Sequence, residues 1–443
     1  MNVMNTLLLA VAVLLSGGIV PGRAAEKSPT ASVPQDLFRY MARPEPNYSW
    51  TLADTHTVDA GKVYVVRLVS QKWHDIVWKH NLLICEPKHL RHPSHVLLFV
   101  TGGHNGGRPS RKGMAMGLKL ATLCGARVAV LSQVPNQPLL GNHVEDDLIT
   151  ETWLRYLKTG DSTWPLLFPM VKSAVKAMDA VTELAKSRWN QSIEGFVITG
   201  GSKRGWTSWL TAVADKRILA TAPMVIDTLN FQPQMKHQLA TWGEFSEQIV
   251  DYTRKGLIKV NQKETPREVH LRRMMDPYTY RKQLTLPKLL INGTNDRYWV
   301  VDALNNYWDG LSGPKYALYI TNAGHGLKGG HDKVFATEAA YFQHVVTRTA
   351  LPKLKWKHDG DGELLQLTMS SQPAPTAVRL WSATSNSKDF RLAKWTSRKV
   401  PGHGGEYIAK LEKNGSGHVA LFGEFQFRFN GLEYFLSTQI RRD

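Results

Sequence analysis

The chain has 443 residues, of which 42% are hydrophobic and 21% charged, a composition that excludes a disordered protein and allows one large core with a second, smaller domain. Its formal net charge of +18 is spread along the chain, which predicts either a solvated basic surface or attraction to an anionic partner such as a component of the cell envelope. There are only two cysteines, so no disulfide framework is predicted. The sequence has no cluster of Cys and His with zinc spacing and no glycine-rich phosphate loop, so no metal or cofactor is predicted.

The first 25 residues are predicted to be a secretory signal peptide. An apolar run over residues 7–15 is too short to span a bilayer, and small residues follow it. Cleavage after Ala24 or Ala25 would then release a secreted or periplasmic protein with no stable membrane span. Export argues against nucleic acid as the partner of the basic surface.

The next part of the chain begins with strands. Residues 62–70 and 78–85 have strand alternation, and a buried strand over residues 95–100 opens into a glycine-rich loop. Helices are predicted over residues 111–124, 145–158 and 166–189, with a strand at residues 126–135. Cys85 then ends a strand and Cys124 ends a helix. Two separate buried thiols are slightly favoured, although the pair could bridge if their Cα atoms lie within about 7 Å.

The following buried strand carries the candidate nucleophile. It ends in Gly200 and Gly201, Ser202 comes next, and an amphipathic stretch begins at once. A buried strand that turns sharply into a helix presents a hydroxyl at the apex, and small residues are needed because the chain passes close to itself. Gly205 meets the same need, whereas Arg204 stands where the common G-x-S-x-G pattern has its second glycine. The alternative is that Ser202 is only the N-cap of a helix.

Two later strands present an acid and a base. Asp296 follows a strand that begins near residue 286, and His325 follows another that begins near residue 316. Serine, aspartate and histidine in this order, each just after a strand, match the chain order of an α/β-hydrolase triad. Asp227, at the end of the strand predicted over residues 219–227, is a rival acid. Asp296 is favoured over it, because its Gly-Thr-Asn-Asp-Arg turn and its position before His325 match the commoner layout. Parallel strands would place all these loops at one edge of the sheet.

An oxyanion hole for such a site needs two backbone N–H groups. The residue after the nucleophile, Lys203, supplies one, and the loop after residue 100 supplies the other from Gly103 or His104. Glycines there let the backbone approach a substrate closely. The alternative is a merely flexible loop.

Four blocks of the chain resemble the family of PhoPQ-activated pathogenicity-related proteins. They are Thr101-Gly-Gly-His-Asn, Thr199-Gly-Gly-Ser-Lys-Arg-Gly-Trp-Thr, Asn292-Gly-Thr-Asn-Asp-Arg-Tyr-Trp and Asn322-Ala-Gly-His-Gly. The resemblance covers most of the mature chain and implies an α/β-hydrolase-like fold, with little about substrate. Ser-Lys-Arg-Gly is also similar to motifs of secreted tripeptidyl aminopeptidases and of glucuronoyl esterases, and the latter resemblance suggests that the Lys203 or Arg204 cation faces the site.

The remaining segments predict a cap and a second domain. Residues 228–285 lack the strand–turn–helix rhythm and supply apolar side chains that could cover a pocket, although they could equally be a helical excursion beside the sheet. A helix over residues 333–351 closes the α/β domain, and strands at short intervals follow it. The predicted fold class is therefore an α/β-hydrolase domain over residues 26–351 and a β-sandwich, immunoglobulin-like domain over residues 352–443.

The functional hypothesis is a secreted serine hydrolase that works by acyl transfer on a small-molecule or polymeric substrate. A carboxylic ester of an envelope or extracellular molecule is favoured, because residues 228–284 contain few acidic side chains relative to basic ones and so suit an anionic or neutral substrate. A serine peptidase is the first alternative. The second is a non-catalytic envelope-binding or adhesion protein on a hydrolase scaffold, since a fold does not establish activity.

Overall fold

The computed structural model describes residues 32–360, 363–413, 415 and 417–443. The predicted signal peptide lies outside these residues. Pro34–Asp443 forms one compact unit, and everything below concerns the described part of it.

Its helices and strands alternate through most of the chain. The α-helices are α1 (Asp36–Ala42), α2 (Arg111–Cys124), α3 (Glu145–Thr159), α4 (Leu167–Trp189), α5 (Lys203–Ala214), α6 (Phe231–Trp242), α7 (Val250–Arg254), α8 (Pro266–Met275) and α9 (His331–Val346). The strands up to α9 are β1 (Ser49–Val58), β2 (Gly61–Trp73), β3 (Ile76–Pro87), β4 (His95–Val100), β5 (Arg127–Leu131), β6 (Gly195–Gly201), β7 (Ile218–Met224), β8 (Lys288–Gly293) and β9 (Lys315–Ile320). The later strands are β10 (Lys353–Asp359), β11 (Leu364–Gln372), β12 (Ala377–Ser385), β13 (Thr396–Lys399), β14 (Gly402–His403), β15 (Glu406–Glu412), β16 (His418–Phe429), β17 (Leu432–Ser437) and β18 (Arg441–Arg442). Short 3₁₀ helices lie at Glu247–Ile249, Pro277–Tyr280 and Ala303–Asn306.

The strand order defines the fold. In the main sheet the order runs β1-β2-β3-β5-β4-β6-β7-β8-β9. Within the run β5-β4-β6-β7-β8-β9 each strand is parallel to the next, whereas β3 is antiparallel to both β2 and β5. This is the order and direction of strands in an α/β-hydrolase sheet, and it confirms the predicted fold. Consequently the loops after β4, β6, β7, β8 and β9 all lie at one edge.

Elements with strong periodicity lie close to where the sequence predicts them, although the strand predicted over residues 126–135 ends at Leu131 and the helix predicted over residues 333–351 ends at Val346. Weakly patterned elements were missed. The helix predicted over residues 111–124 is α2, and α3 and α4 differ from their predictions by one residue at one end. The seven-residue α1 is too short to show a helical period. The edge strand β1 is mostly exposed on both faces, so its sequence lacks the alternation of a half-buried strand and only its pairing with β2 defines it.

The C-terminal strands form two facing sheets. The strands β17, β16, β12 and β13 continue the main sheet through the pairing of Ser437 with Ala317, and β10, β11, β15 and β14 form a separate sheet. A Cβ on Gly423 of β16 would meet the Met369 sulfur of β11 at 2.0 Å, so the two sheets pack closely there. This is the face-to-face packing of a sandwich, with one sheet hydrogen-bonded to the hydrolase sheet. The domain boundary near residue 352 stays a prediction.

Both cysteines are free and buried, Cys85 in β3 and Cys124 at the end of α2. Burial raises the pKa of the Cys85 thiol to about 12. These thiols are therefore protonated core side chains at neutral pH.

A buried carboxyl lies behind the strand that leads to the candidate nucleophile. Glu338 of α9 has one carboxyl oxygen 2.5 Å from the Thr199 hydroxyl, which also lies 2.7 Å from the Ala222 carbonyl oxygen. A hydroxyl donates only one proton, so both contacts are satisfied when Glu338 is protonated and donates to Thr199. Burial raises the pKa of Glu338 to about 7, and the Thr199 hydrogen bond only partly opposes this.

We expect Glu338→Gln to stabilise the protein at pH 8 but not at pH 4. Between these values the unfolded carboxyl ionises while the folded one stays protonated until about pH 7, so the wild type loses stability as pH rises. The difference at pH 8 should be on the order of 3 kcal/mol. Denaturant unfolding from pH 4 to pH 8 measures it, with exposed Glu406→Gln as the control. Parallel pH curves for wild type and Glu338→Gln would contradict the assignment.

Candidate active site

Ser202 lies on a sharp turn between β6 and α5. Its backbone has φ 58° and ψ −128°, a conformation that a residue with a side chain rarely adopts. Two hydrogen bonds hold the turn: the Ser202 N–H donates to the Met224 carbonyl at 2.9 Å, and the Trp206 N–H donates to the Ser202 carbonyl at 3.0 Å. The strained serine is therefore held by the sheet on one side and by the helix on the other.

Two of the three glycines around Ser202 are required by space. A Cβ on Gly200 would lie 2.8 Å from the carbonyl oxygens of Arg204 and Val100, and one on Gly205 would lie 2.8 Å from the Gly200 oxygen. Strand and helix thus cross with backbone against backbone. Gly201 is different, because the nearest atom to its Cβ would be 3.9 Å away.

Asp296 and His325 are brought together by the loops after β8 and β9. The His325 Nδ1 lies 2.8 Å from Asp296 Oδ2, and the Tyr298 N–H donates to Asp296 Oδ1 at 2.9 Å. Because an ionised carboxylate only accepts, Nδ1 carries the proton and Nε2 presents its lone pair. The Tyr298 ring stacks on the imidazole with centroids 4.1 Å apart, so His325 is held at both its edge and its face.

The other nitrogen of His325 is buried and unpaired. Among the described residues, Nε2 has no hydrogen-bond partner, and neither does the Ser202 hydroxyl. An unsatisfied buried nitrogen costs about 1–3 kcal/mol and calls for an explanation. One explanation is that Nε2 is a base that pairs with a nucleophile only during the reaction, because hydrogen bonds between nucleophile and base are often long in unliganded enzymes and shorten when substrate binds.

The rival acid Asp227 has a different partner. It is buried in the loop after β7 and accepts a hydrogen bond from the Tyr307 hydroxyl. Burial raises the pKa of Asp227 to about 7, the charge of Asp296 adds to this, and the Tyr307 bond opposes it. No contact joins Asp227 to His325 among the described residues. The geometry thus pairs the histidine with Asp296.

The loop after β4 offers free backbone donors at the same sheet edge. Gly103 has φ 140°, a conformation that disfavours side chains, and the Gln137 amide donates to its carbonyl at 3.1 Å. Within the part of the chain described, the N–H groups of Gly103 and His104 make no hydrogen bond. The Lys203 N–H, at the first position of α5, has no partner within the helix by the nature of a helix start. All three candidate oxyanion donors are thus unpaired.

Arg204 does not face the site but ties α5 to its surroundings. Both terminal guanidinium nitrogens lie 2.8 Å from the Glu145 carboxylate, and Nε donates to the Val134 carbonyl at 2.5 Å. The side chain passes beneath the loop after β4, where a Cβ on Gly102 would lie 2.5 Å from Nη2. Burial would raise the pKa of Glu145, but its bonds to Arg204 and the nearby Lys203 outweigh this and lower the pKa well below its usual range.

Lys203 does line the site. Its ammonium lies 2.7 Å from Glu145 and 3.5 Å from Asp146, which also accepts a 3.2 Å hydrogen bond from the Tyr252 hydroxyl. The sequence suggested a cation at the site, and the structure places Lys203 there with its charge paired. Glu145 and Asp146 were missed as site residues because their only local signal is that of acidic residues at a helix N-terminus.

A cleft of about 1050 Å³, counting its solvent-filled mouth, opens beside Ser202. Its walls come from α3, α5, the loop after β8 and the predicted cap, residues 228–285, whose described elements include α6, α7 and α8. Of the apolar residues in the cap, Tyr252 lines the cleft, whereas Met274, Met275 and Tyr280 are buried and do not line it. Trp206 and Tyr298 also line it, and no periodicity could have separated them from packing residues.

Two further features of the described residues concern metal binding and membrane crossing. No group of three or more histidine, cysteine, aspartate or glutamate side chains is arranged to hold a metal ion. Within the same residues, none of the helices has the length and apolar character needed to cross a membrane.

The strand order and the strand–turn–helix around Ser202 define a protein of α/β-hydrolase fold. This chain belongs to the family of PhoPQ-activated pathogenicity-related proteins, which it matches over residues 37–391. The family assignment made from the sequence blocks is confirmed.

Similar proteins include a named relative from Dictyostelium discoideum and several solved structures. Autocrine proliferation repressor protein A of Dictyostelium discoideum is 31% identical over 428 residues, covering 89% of this chain and 86% of the relative. Among solved structures, acetyl xylan esterase 1 of Thermoanaerobacterium sp. JW/SL YS485 has 14% identity and a TM-score of 0.49, covering 72% of this chain and 95% of that one. A puromycin-hydrolyzing peptidase of Mycobacterium tuberculosis has 16% identity and a TM-score of 0.41, covering 66% of this chain and 40% of that one.

Proposed function

We propose that this protein is a secreted serine hydrolase that cleaves a carboxylic ester by acyl transfer. The observation that carries the proposal is the 2.8 Å hydrogen bond between His325 Nδ1 and Asp296 Oδ2, at the sheet edge where Ser202 stands on its strained turn. An ordinary loop serine needs neither the strained backbone nor a carboxylate-bound histidine nearby. The secreted location rests on the predicted signal peptide.

In this mechanism the Ser202 hydroxyl attacks the ester carbonyl carbon. His325 Nε2 accepts the hydroxyl proton, and Asp296 holds the ring in the required tautomer and stabilises the imidazolium. The oxyanion accepts hydrogen bonds from the Lys203 N–H and from Gly103 or His104. His325 then protonates the leaving alcohol, and a water activated in the same way releases the acyl group from Ser202.

The cleft favours an ester over an exopeptidase substrate. An exopeptidase must hold a free α-ammonium group, which requires an available carboxylate or amide. Three carboxylates line the cleft, but Glu264 is paired with Arg272 at 2.7 Å, Glu268 with Lys259 at 2.7 Å, and Asp146 accepts from Tyr252. The amide of Gln232, which also lines the cleft, donates to Glu264 at 2.8 Å. A serine peptidase therefore ranks below an esterase.

A non-catalytic binding protein is the second candidate. Its supporting observation is that the Ser202 hydroxyl and His325 Nε2 are not hydrogen-bonded to each other in the described structure. The Dictyostelium relative is named for repressing proliferation in an autocrine manner. A protein with that role could act through a surface, with the hydrolase scaffold serving only as support.

A fluorophosphonate probe distinguishes the two candidates. We expect it to label folded wild-type protein at Ser202, as mapped by peptide mass, because only an activated serine attacks the phosphorus. Labelling should vanish in Ser202→Ala and after heat denaturation, and persist in Ser387→Ala, whose exposed serine is the control. Unlabelled wild type, beside a labelled control esterase, would favour the binding protein.

A further inference from the structure

The cleft beside Ser202 has a continuous aromatic wall. Trp153 of α3 meets Trp206 of α5 edge to face, with centroids 6.0 Å apart, and Trp206 meets Phe231 of the cap in the same way at 5.5 Å. Tyr252 of the cap packs against Trp153 at 5.4 Å. The Trp206 indole N–H donates to the Met275 carbonyl at 2.6 Å, which fixes the central ring. The wall joins the core to the cap.

Aliphatic side chains complete the lining. Ile258, which follows α7, and Leu271, on α8, both line the cleft from the cap side. Leu271 is buried, whereas Ile258 is only half-buried. Apolar surface that remains exposed inside a cleft, instead of being packed into the core, marks a place for an apolar ligand.

The charged side chains of the lining all have partners. The cap pairs Glu264–Arg272 and Glu268–Lys259 are described above, and Lys203 is bound to Glu145 at 2.7 Å. Among the described residues, no charged group of the lining is therefore available to an ionic substrate unless an existing pair breaks. A neutral group would require no such break, and its burial against the aromatic wall would be favourable.

We propose that the substrate carries a bulky, neutral, apolar group next to the scissile ester, and that the Trp153–Trp206–Phe231 wall and Ile258 bind it. This inference rests on the proposed function and names the substrate class of that site. A two-carbon acyl group would leave the half-buried part of this lining, which includes Phe231 and Ile258, in contact with water. Each further methylene that the cleft buries contributes about 0.8 kcal/mol, or about fourfold in kcat/KM.

Two ester series test the proposal and identify the side on which the apolar group is attached. One series extends the acyl chain of p-nitrophenyl esters from two to ten carbons, and the other extends the alcohol of acetate esters. In one of them kcat/KM should rise about fourfold per methylene until the cleft is filled. If kcat/KM is flat or falls in both series while fluorophosphonate still labels Ser202, the apolar inference is wrong and the proposed function stands.

Two matched variants locate the binding surface. Ile258→Asp should lower kcat/KM at least tenfold more on an eight-carbon ester than on the two-carbon ester. Val250→Asp is the control, because Val250 is an exposed apolar residue of the same cap that does not line the cleft. If Ile258→Asp does not fold, Ile258→Trp replaces it and should shorten the chain length at which the rate peaks. Equal effects of the Ile258 and Val250 changes would overturn the proposal.

A binding measurement separates failure of the site from failure of the chemistry. The neutral apolar dye Nile red should bind full-length Ser202→Ala protein, and the added Ile258→Asp change should weaken binding at least tenfold while Val250→Asp does not. If Nile red binds in this pattern but the wild-type protein turns over no ester, the apolar ligand class is kept and acyl transfer is rejected. No binding, or equal binding by all three proteins, would reject the apolar cleft.

Discussion

Ser202→Ala is expected to lower kcat by about six orders of magnitude, and the Ser202→Ala/His325→Ala double variant is expected to lose no more. The reason is that the hydroxyl and the imidazole act as a unit: without the nucleophile the base has no proton to take, and without the base the hydroxyl stays protonated. Turnover of the best ester, measured for wild type, both single variants and the double variant, tests this.

Independent roles would give a different pattern. If each residue only contributed to substrate binding, the losses would multiply and would appear mainly in KM. Thermal unfolding of each variant controls for folding, and Ser387→Ala, an exposed serine far along the chain, should keep wild-type kcat. Equal, unaffected turnover in all variants would show that the activity belongs to a contaminant.

Asp296→Asn is expected to lower kcat by about four orders of magnitude, because an amide in place of the carboxylate favours the wrong imidazole tautomer. Asp227→Asn should change kcat less than tenfold, since Asp227 contacts Tyr307 and not His325. Kinetics at pH 8 provide the comparison. The reverse ranking would make Asp227 the acid of the site.

The Asp227 variant also has a stability signature that separates its role from catalysis. Burial raises the pKa of Asp227 to about 7. The protonated Asp227 carboxyl stabilises the folded protein fully below the pKa of the same carboxyl in the unfolded chain, which is near 4. This stabilisation is lost as pH rises through 7. Asp227→Asn keeps an acceptor for Tyr307 and removes this titration, so its free energy of unfolding should depend less on pH between 4 and 8 than that of the wild type.

Much of the scaffold was predictable from local patterns. The apolar periodicity of residues 111–124 and the buried runs before Ser202, Asp296 and His325 report burial directly, and the serine, aspartate and histidine follow β6, β8 and β9. In a parallel sheet the ends of those strands share an edge. Chain order alone therefore brought the three candidate residues to one edge, although their roles remain predictions.

The sequence by itself determined the strongly periodic elements, the fold class and the identity of the residues at the sheet edge. Only the tertiary structure decided that Asp296 rather than Asp227 meets His325, that Arg204 binds Glu145 beneath Gly102 while Lys203 lines the cleft, and that β17 continues the hydrolase sheet. The physical reason is that periodicity records whether a side chain is buried but not which side chain it meets. Those partners are separated by 29, 59 and more than 100 residues in the chain, and only folding brings them together.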